Sequence, residues 1–430
     1  MKRVLVIAYY WPPSGGSGVQ RWVKFCKYLP QEGWEPVVFA PENADYPSLD
    51  PSFQKELPES LEVLRGRIWE PYSAYRKLTG AKSTQVTEIS SGKKTPKQKL
   101  SLWVRANVFV PDPRVGWVKP SVKTLKAYLA EHPVDAIITT GPPHSVHLIG
   151  QQLHEALGIP WIPDFRDPWS RMYYLKYLPM TAATWAKLLK MEQGILDQCT
   201  TVLTCTPQVQ ADFQEQTKTP VACITNGFDE EDFAGPAPEG DGHFNITHTG
   251  LFAADGNPFA LWKELGKLAK TVPGFGEELR IRLVGKVDRE VLDAIAAAGL
   301  SDNVVLLGPL NHAEAVREQR SATLLLLPLR NDPQYAPILP GKLFEYLAAR
   351  RPILGIGQEE GAMAHVLFSA RAGITTDWEN PAPMRAFIAN AWRQHCEGGV
   401  PATTGDIAPY TRRNLTKALA DLLEKVSKHE

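Results

Sequence analysis

The sequence predicts an α/β protein of two doubly wound domains, each a parallel sheet covered by helices. Three observations lead there. The chain has 430 residues, more than one ordinary core organises, so two or more domains are expected. Strand-like and helix-like segments alternate almost throughout, the pattern of parallel strands joined by helices. The alternation stops once, near residue 226, and then starts again.

The elements follow in order. Apolar runs at 4–9, 36–40, 61–64, 136–140, 159–163, 201–204 and 221–224 read as strands. The first follows Met1-Lys2-Arg3 and superficially resembles a secretory leader. Pro12-Pro13 end it early and no small-residue cleavage site follows, so a buried strand is expected. Over 20–29, Trp22, Val23, Cys26 and Leu29 share one helical stripe, and Trp185, Leu188, Leu189, Glu192 and Leu196 repeat that spacing. Residues 80–100 are rich in Lys, Ser and Thr and read as an insertion. Asn226-Gly227-Phe228-Asp229 opens an acidic, Gly/Pro-rich stretch that reads as a linker over 226–243. Strands resume at 245–249, 280–284, 304–307, 323–327 and 352–355, and a last helical periodicity runs from about 408 towards 428. The expected domains are thus 1–225 and 244–395, followed by a terminal segment, 396–430.

Composition narrows the function. With 43% hydrophobic and 22% charged residues and 12 Trp, the chain has ample material for large cores, which excludes disorder as its main state. The five cysteines, Cys26, Cys199, Cys205, Cys223 and Cys396, show no CxxC spacing. They fit reduced thiols in a cytoplasm better than a disulfide framework or a zinc site. No apolar run approaches the roughly 20 residues of a membrane span. Net charge is zero, yet residues 1–225 hold 26 basic against 20 acidic groups, and residues 65–126 hold 14 against 3. Trp69, Tyr72, Tyr75, Trp103, Phe109 and Trp117 are interleaved with those bases. The mixture suits an anionic membrane surface or a lipid-phosphate acceptor, or else a solvated face over ordinary core aromatics. No nucleic-acid module accompanies it.

Four motifs carry candidate chemistry. Pro12-Pro13-Ser14-Gly15-Gly16-Ser17-Gly18 stands between the first strand and a helix. Gly15, Gly16 and Gly18 there would let backbone N–H groups approach a phosphate, although a bare turn is the alternative. The spacing is not GxGxxG, which sets a nicotinamide dehydrogenase aside. Asp164-Phe165-Arg166-Asp167-Pro168-Trp169 closes a strand at the edge where open α/β sheets bind ligands. Its Arg166 and Asp167 are candidate catalytic groups and Asp164 an acceptor contact; a helix cap with an internal ion pair is the alternative. His144, in Thr140-Gly141-Pro142-Pro143-His144, should open onto the same edge. In Pro340-Gly341-Lys342-Leu343-Phe344-Glu345, Lys342 at a helix start suits phosphate, and Glu345 one turn on suits two ribose hydroxyls. The alternative there is a surface Lys–Glu pair. Gly250 and Lys286 end two strands where a diphosphate could lie.

Taken together, YYWPPSGGSGVQRW, PENADYP, IPWIPDFRDPW, ITNGFD and PGKLFEYLAARRPIL resemble bacterial glycosyltransferases of family 4 and their group 1 relatives, over nearly the whole chain. The resemblance implies a GT-B fold, two Rossmann-like doubly wound domains facing an interdomain cleft. The nucleotide-sugar donor would bind the second domain and a lipid-linked or polysaccharide-precursor acceptor the first. The terminal segment would cross back to the first domain. Glu345 would hold the ribose, and Gly15, Gly16, Gly18, Gly250, Lys286 and Lys342 the phosphates. Relatives retain anomeric configuration and use no metal. No DxD pair occurs in the sequence, and neither metal nor cofactor is expected, the nucleotide-sugar being a substrate. The commoner family pattern carries a second Glu eight residues before the ribose Glu, where this chain has Pro337. That departure motivates an inactive GT-B scaffold, or another GT-B enzyme such as a nucleotide-sugar epimerase, as alternatives. The expected location is cytoplasmic, peripheral to the inner face of the plasma membrane through residues 65–126.

Overall fold

The computed structural model describes residues 1–46, 48–70, 96–236, 238–399 and 402–428. Two compact units emerge: Met1–Thr225 with Arg412–Glu430, and Asn226–Thr411. No helix among the described residues is long and apolar enough to cross a membrane.

The first unit is a seven-stranded sheet: β1 (Lys2–Ala8), β2 (Trp34–Pro41), β3 (Glu62–Gly66), β4 (Ala136–Gly141), β5 (Trp161–Phe165), β6 (Val202–Thr204) and β7 (Val221–Cys223). Their order is β3-β2-β1-β4-β5-β6-β7, all parallel. Each strand expected in this half is present. Parallel strands buried on both faces read as continuous apolar runs, and β1 shows why. Val4, Val6 and Ala8 enter one core while Leu5 and Ile7 enter the other.

Helices α1 (Ser17–Tyr28), α2 (Pro96–Asn107), α3 (Val118–Glu131), α4 (Ser145–Leu157), α5 (Ala182–Gln198) and α6 (Pro207–Gln214) connect the strands. On α1, Trp22, Val23 and Cys26 are buried as the stripe predicts. On α5 the expected stripe is met at three of its five positions, Leu188, Glu192 and Leu196. Leu188, Glu192, Ile195 and Leu196 point inward, whereas Trp185 and Leu189 are exposed. The insertion expected over 80–100 lies outside the described residues as far as 95, and the rest begins α2.

The C-terminal helix Arg412–Ser427 belongs to this unit. Leu415, Leu419, Leu423 and Val426, spaced one turn apart, enter the same core as Val4 and Trp22. Lys2 fixes its end by bonding Glu424 at 2.8 Å and the Ser427 hydroxyl at 3.0 Å.

A buried ion pair lies beneath the edge formed by the carboxyl ends of these strands. Asp164 and Arg21 are 0% and 1% exposed. Arg21 donates through Nε and Nη2 to the two carboxylate oxygens at 3.2 Å each. The Trp22 indole (2.7 Å) and the Thr140 hydroxyl (3.0 Å) also donate to Asp164. Four donors on one carboxylate are what a charge without solvent requires. The pair thereby ties α1 to β4 and β5.

The second unit has six parallel strands: β8 (Phe244–Thr249), β9 (Leu279–Val284), β10 (Val304–Gly308), β11 (Leu324–Pro328), β12 (Ile353–Ile356) and β13 (Gly373–Thr376). Their order is β10-β9-β8-β11-β12-β13. Around them pack α7 (Phe259–Thr271), α8 (Arg289–Ala297), α9 (His312–Ser321), α10 (Gly341–Ala349), α11 (Ala362–Ser369) and α12 (Pro381–Cys396). Residues 226–243, expected as a linker, lie within this unit. Phe228 is buried in its core, and Arg320 bonds the carbonyls of Ala234 and Gly235. Strand β13 was not expected; it is a four-residue edge strand whose only large apolar residue is Ile374.

Substituting Asp164→Ala strands the Arg21 guanidinium without its counter-charge. It should destabilise the first unit by about 3–5 kcal/mol, read as a lowered urea midpoint of that unit's transition.

Candidate functional site

In both units the strand order reverses direction between the first strand and its later neighbour, between β1 and β4 and between β8 and β11. At such a point the connections leave in opposite directions and open a crevice at the carboxyl ends of the strands. The motif residues collect there, and each unit is described in turn.

In the second unit, β8 ends in His248-Thr249 followed by Gly250. Gly250 has φ 97°, a left-handed conformation that favours glycine. Its N–H is already donated to the Val284 carbonyl at 2.7 Å. The expectation that this amide would face a phosphate is therefore corrected. What the glycine supplies is room, since a Cβ there would stand 3.0 Å from the Lys342 ammonium.

Lys342 lies in the first turn of α10, whose N-cap is Pro340 and whose first amides no side chain caps. Its one polar contact among the described residues is His248 Nε2, at 3.4 Å. His248 Nδ1 lies 3.0 Å from the Leu326 carbonyl, and Nε2 lies 3.4 Å from both the Leu251 carbonyl and the ammonium; with the proton on Nδ1, the side of the shorter contact, Nε2 presents a lone pair to the ammonium. Burial, aided by Lys342, pushes the His248 pKa down to about 3, which keeps the ring neutral. Burial also lowers Lys342 to about 8, against the opposing pull of Glu345. A partly desolvated cation at a helix N-terminus that no side chain caps, with no carboxylate paired to it among the described residues, is an arrangement that suits an anion.

One turn along α10, half-buried Glu345 receives a hydrogen bond at Oε2 from Gln319 Nε2 at 2.9 Å. The same Gln319 nitrogen reaches Thr249 Oγ1 at 3.2 Å. Tyr346, adjacent to Glu345, turns its hydroxyl to the Thr249 N–H at 2.8 Å. Lys286, just past β9, is exposed, and its carbonyl accepts from the Phe252 N–H at 2.9 Å. Arg330, past β11, pairs with Asp255 at 2.9 Å. Lys342, Gly250 and Glu345 are therefore brought together, with Lys286 at the end of the neighbouring strand. Gln319 was not legible in the sequence. It is one polar residue among many, and only the packing of α9 against β8 and α10 makes it a neighbour of Glu345.

In the first unit Arg166 is the organiser. Its Nε and its backbone N–H both donate to the Gly141 carbonyl, at 3.0 and 3.1 Å. Nη1 bonds the Gly18 carbonyl at 2.8 Å and Nη2 the Pro142 carbonyl at 2.6 Å. Three carbonyls from two loops converge on one guanidinium, the geometry of a positioning group. Gly18 permits it, because a Cβ there would lie 2.6 Å from Nη1. The Gly15 amide is held by the Ser48 carbonyl at 2.9 Å. Gly16 is the N-cap of α1, which no side chain caps.

Asp167 is half-buried and no protein group hydrogen-bonds its carboxylate among the described residues. Burial raises its pKa, Arg166 pulls it back and Asp164 adds to the rise. Asp164, expected to touch an acceptor, has no exposed surface and spends both oxygens on Arg21, Trp22 and Thr140. That expectation is corrected, since a carboxylate inside the sheet cannot reach a bound molecule. His144 is likewise buried, its ring stacked on Trp169 with centroids 5.0 Å apart and planes at 4°. Burial, then Arg166, pushes it down to about 3. It stays neutral at physiological pH and is a poor proton acceptor there.

The basic stretch 65–126 divides. Residues 71–95, with Tyr72 and Tyr75, lie outside the described residues. Arg114 is drawn inward to Glu70 at 3.1 Å and to the Tyr9 hydroxyl at 3.3 Å, and Trp117 stacks on Phe39 at 5.2 Å. Trp69, Leu100, Trp103 and Val108 remain exposed.

No family model and no curated protein sequence matches the chain. Solved structures match its fold. The chain is similar to sucrose-phosphate synthase from Thermosynechococcus elongatus, with a TM-score of 0.56 and 15% identity over 99% of this chain and 96% of that one. It is similar to WaaG, a glycosyltransferase involved in lipopolysaccharide biosynthesis, with a TM-score of 0.51 and 14% identity over 98% and 99%. UDP-GlcNAc 2-epimerase from Methanocaldococcus jannaschii gives 0.53 at 10% identity over 99% and 100%. At such identities the likeness is one of fold, and the fold is GT-B: two α/β domains built on parallel sheets of seven and six strands.

Proposed function

We propose that this protein is a glycosyltransferase that binds a nucleoside-diphosphate sugar on its second unit and an acceptor on its first. The observation that carries the reading is the Lys342 ammonium, which no carboxylate hydrogen-bonds among the described residues, at a helix N-terminus that no side chain caps and one turn from Glu345. A diphosphate satisfies the first group and a ribose diol the second. Likeness in fold to a sucrose-phosphate synthase and to WaaG supports it.

In this reading the bond between the anomeric carbon and the diphosphate oxygen breaks. The charge left on the diphosphate meets Lys342, Lys286 and the first amides of α10, an electrostatic arrangement in place before reaction. The acceptor oxygen bonds the anomeric carbon, and Asp167 takes its proton, its raised pKa bringing it nearer to that task. Arg166 and the Gly15–Gly18 loop hold the surroundings of Asp167 in shape. Metal-independent transfer with retention, to a lipid-linked or polysaccharide-precursor acceptor, is the finer form of the proposal. Exposed Leu100 and Trp103 on α2, beside exposed Lys99, would meet an anionic membrane from the cytoplasmic side. The epimerase fold neighbour keeps a second reading open, in which the same donor site rearranges the sugar without an acceptor.

A panel of UDP-, GDP- and dTDP-sugars tests the proposal. Transfer needs an acceptor, whereas a changed sugar in its absence favours the epimerase, and no nucleotide binding at millimolar concentration ends both. Lys342 carries its charge below about pH 8 and loses it above. Nucleoside diphosphate affinity should therefore fall as pH rises from about 7 to about 9. Lys342→Met should weaken binding about ten- to hundredfold at pH 7 and flatten that profile, as titration calorimetry would show. Asp167→Asn should leave the nucleotide dissociation constant unchanged and lower the transfer rate by about a hundredfold or more. Binding to anionic vesicles should fall steeply with salt, and salt-indifferent or absent sedimentation would remove the membrane contact.

A further inference from the structure

We infer that Gln319 is a positioning residue for nucleotide recognition: it fixes the Glu345 carboxylate from behind, so that the carboxylate meets the ribose hydroxyls in one orientation. The inference rests on the reading of Glu345 as the ribose-binding carboxylate and goes beyond it.

Gln319 is 0% exposed and lies near the end of α9. Its amide nitrogen stands between Thr249 Oγ1, at 3.2 Å, and Glu345 Oε2, at 2.9 Å. The orientation of that amide is dictated by its neighbour. A carboxylate accepts and never donates, so the NH2 end must face Glu345. The cost of this choice is visible at the other end, where Gln319 Oε1 is buried with no hydrogen-bond partner among the described residues. A buried acceptor left unsatisfied is unfavourable. Both donor contacts are kept at its expense.

Hydrogen bonds fix both ends of α9. A capping box closes the start of α9, with Asn311 accepting from the Glu314 amide at 3.0 Å and Glu314 returning to the Asn311 amide at 3.1 Å. At its end the Arg351 guanidinium, 9% exposed, bonds the Arg320 carbonyl at 2.9 and 2.6 Å. Thr249 is in turn fixed through its N–H to Tyr346. Glu345 Oε1 has no protein partner among the described residues. One carboxylate oxygen is thus held by the protein and the other is left for a ligand, the division of labour that an oriented contact to a diol needs.

The test compares UDP with 2′,3′-dideoxy-UDP, and GDP with its dideoxy form, by calorimetry on the full chain. The wild type is expected to prefer the ribonucleotide by about tenfold or more, and Glu345→Ala to abolish that preference. Gln319→Met, which keeps the volume and loses the donor, should reduce the preference at least threefold while leaving the dideoxynucleotide dissociation constant unchanged. Gln319→Asn, whose shorter amide falls short of Glu345, should do the same and serves if the Met variant does not fold. An unchanged preference in the Gln319 variants, with the preference lost in Glu345→Ala, overturns the inference alone. Equal weakening of both nucleotides means a general packing role and also overturns it. If Glu345→Ala keeps the preference, or neither UDP nor GDP binds the wild type, the ribose reading of Glu345 fails and the inference with it.

Discussion

Parallel strand pairing is the constraint on which the rest of this structure depends. A parallel strand can reach its neighbour only through a crossover, so every strand in a unit ends on the same edge. The order β3-β2-β1-β4-β5-β6-β7 and its six-stranded counterpart then place one reversal per sheet, beside β1 and beside β8. The turn after β1 and the turns after β4 and β5 are neighbours for that reason alone. Arg166 exploits this by bonding carbonyls of Gly18, Gly141 and Pro142. The meeting of Gly250, Lys342 and Glu345 has the same origin in the second unit.

The two edges use polar groups differently. In the first unit Arg21, Asp164 and Arg166 are all answered by protein groups. Arg21 and Asp164 are desolvated together, and Arg166 faces carbonyls. In the second unit no carboxylate hydrogen-bonds Lys342 among the described residues; a neutral imidazole touches it and Glu345 acts on it only at a distance. A folded protein keeps a half-desolvated ammonium at a helix N-terminus at a cost, since burial disfavours its charge and the helix dipole repels it. The lowered pKa of Lys342 records the cost of burial, which a bound anion would relieve.

Most of the fold was legible from periodicity and spacing. Twelve strands expected from apolar runs are present, because a strand buried on both faces cannot hide its composition. The C-terminal helix was legible from its Leu415, Leu419 and Leu423 spacing. The failures have local causes. Strand β13 is short and half-buried, so GITT carries little pattern. On α5, Leu188, Glu192 and Leu196 are buried as the stripe predicts, but Trp185 and Leu189 are apolar yet exposed. An aromatic on a helix weighs towards the core in any periodicity count, and nothing local reveals that it stands outside.

By itself the sequence determined which segments form strands, where one sheet ends and the next begins, and that Lys342 and Glu345 share one helix a turn apart. These are properties of neighbours along the chain, carried by repeat periods of two and 3.6 residues. Only the tertiary structure decided what each polar side chain faces. It turned Asp164 inward to Arg21, gave Arg166 to backbone carbonyls, took the Gly250 amide for Val284 and set Gln319 behind Glu345. Those partners come from distant parts of the chain. A carboxylate or an amide has the same local signature whether its partner is protein or substrate, so burial and distance in the folded chain settle its role.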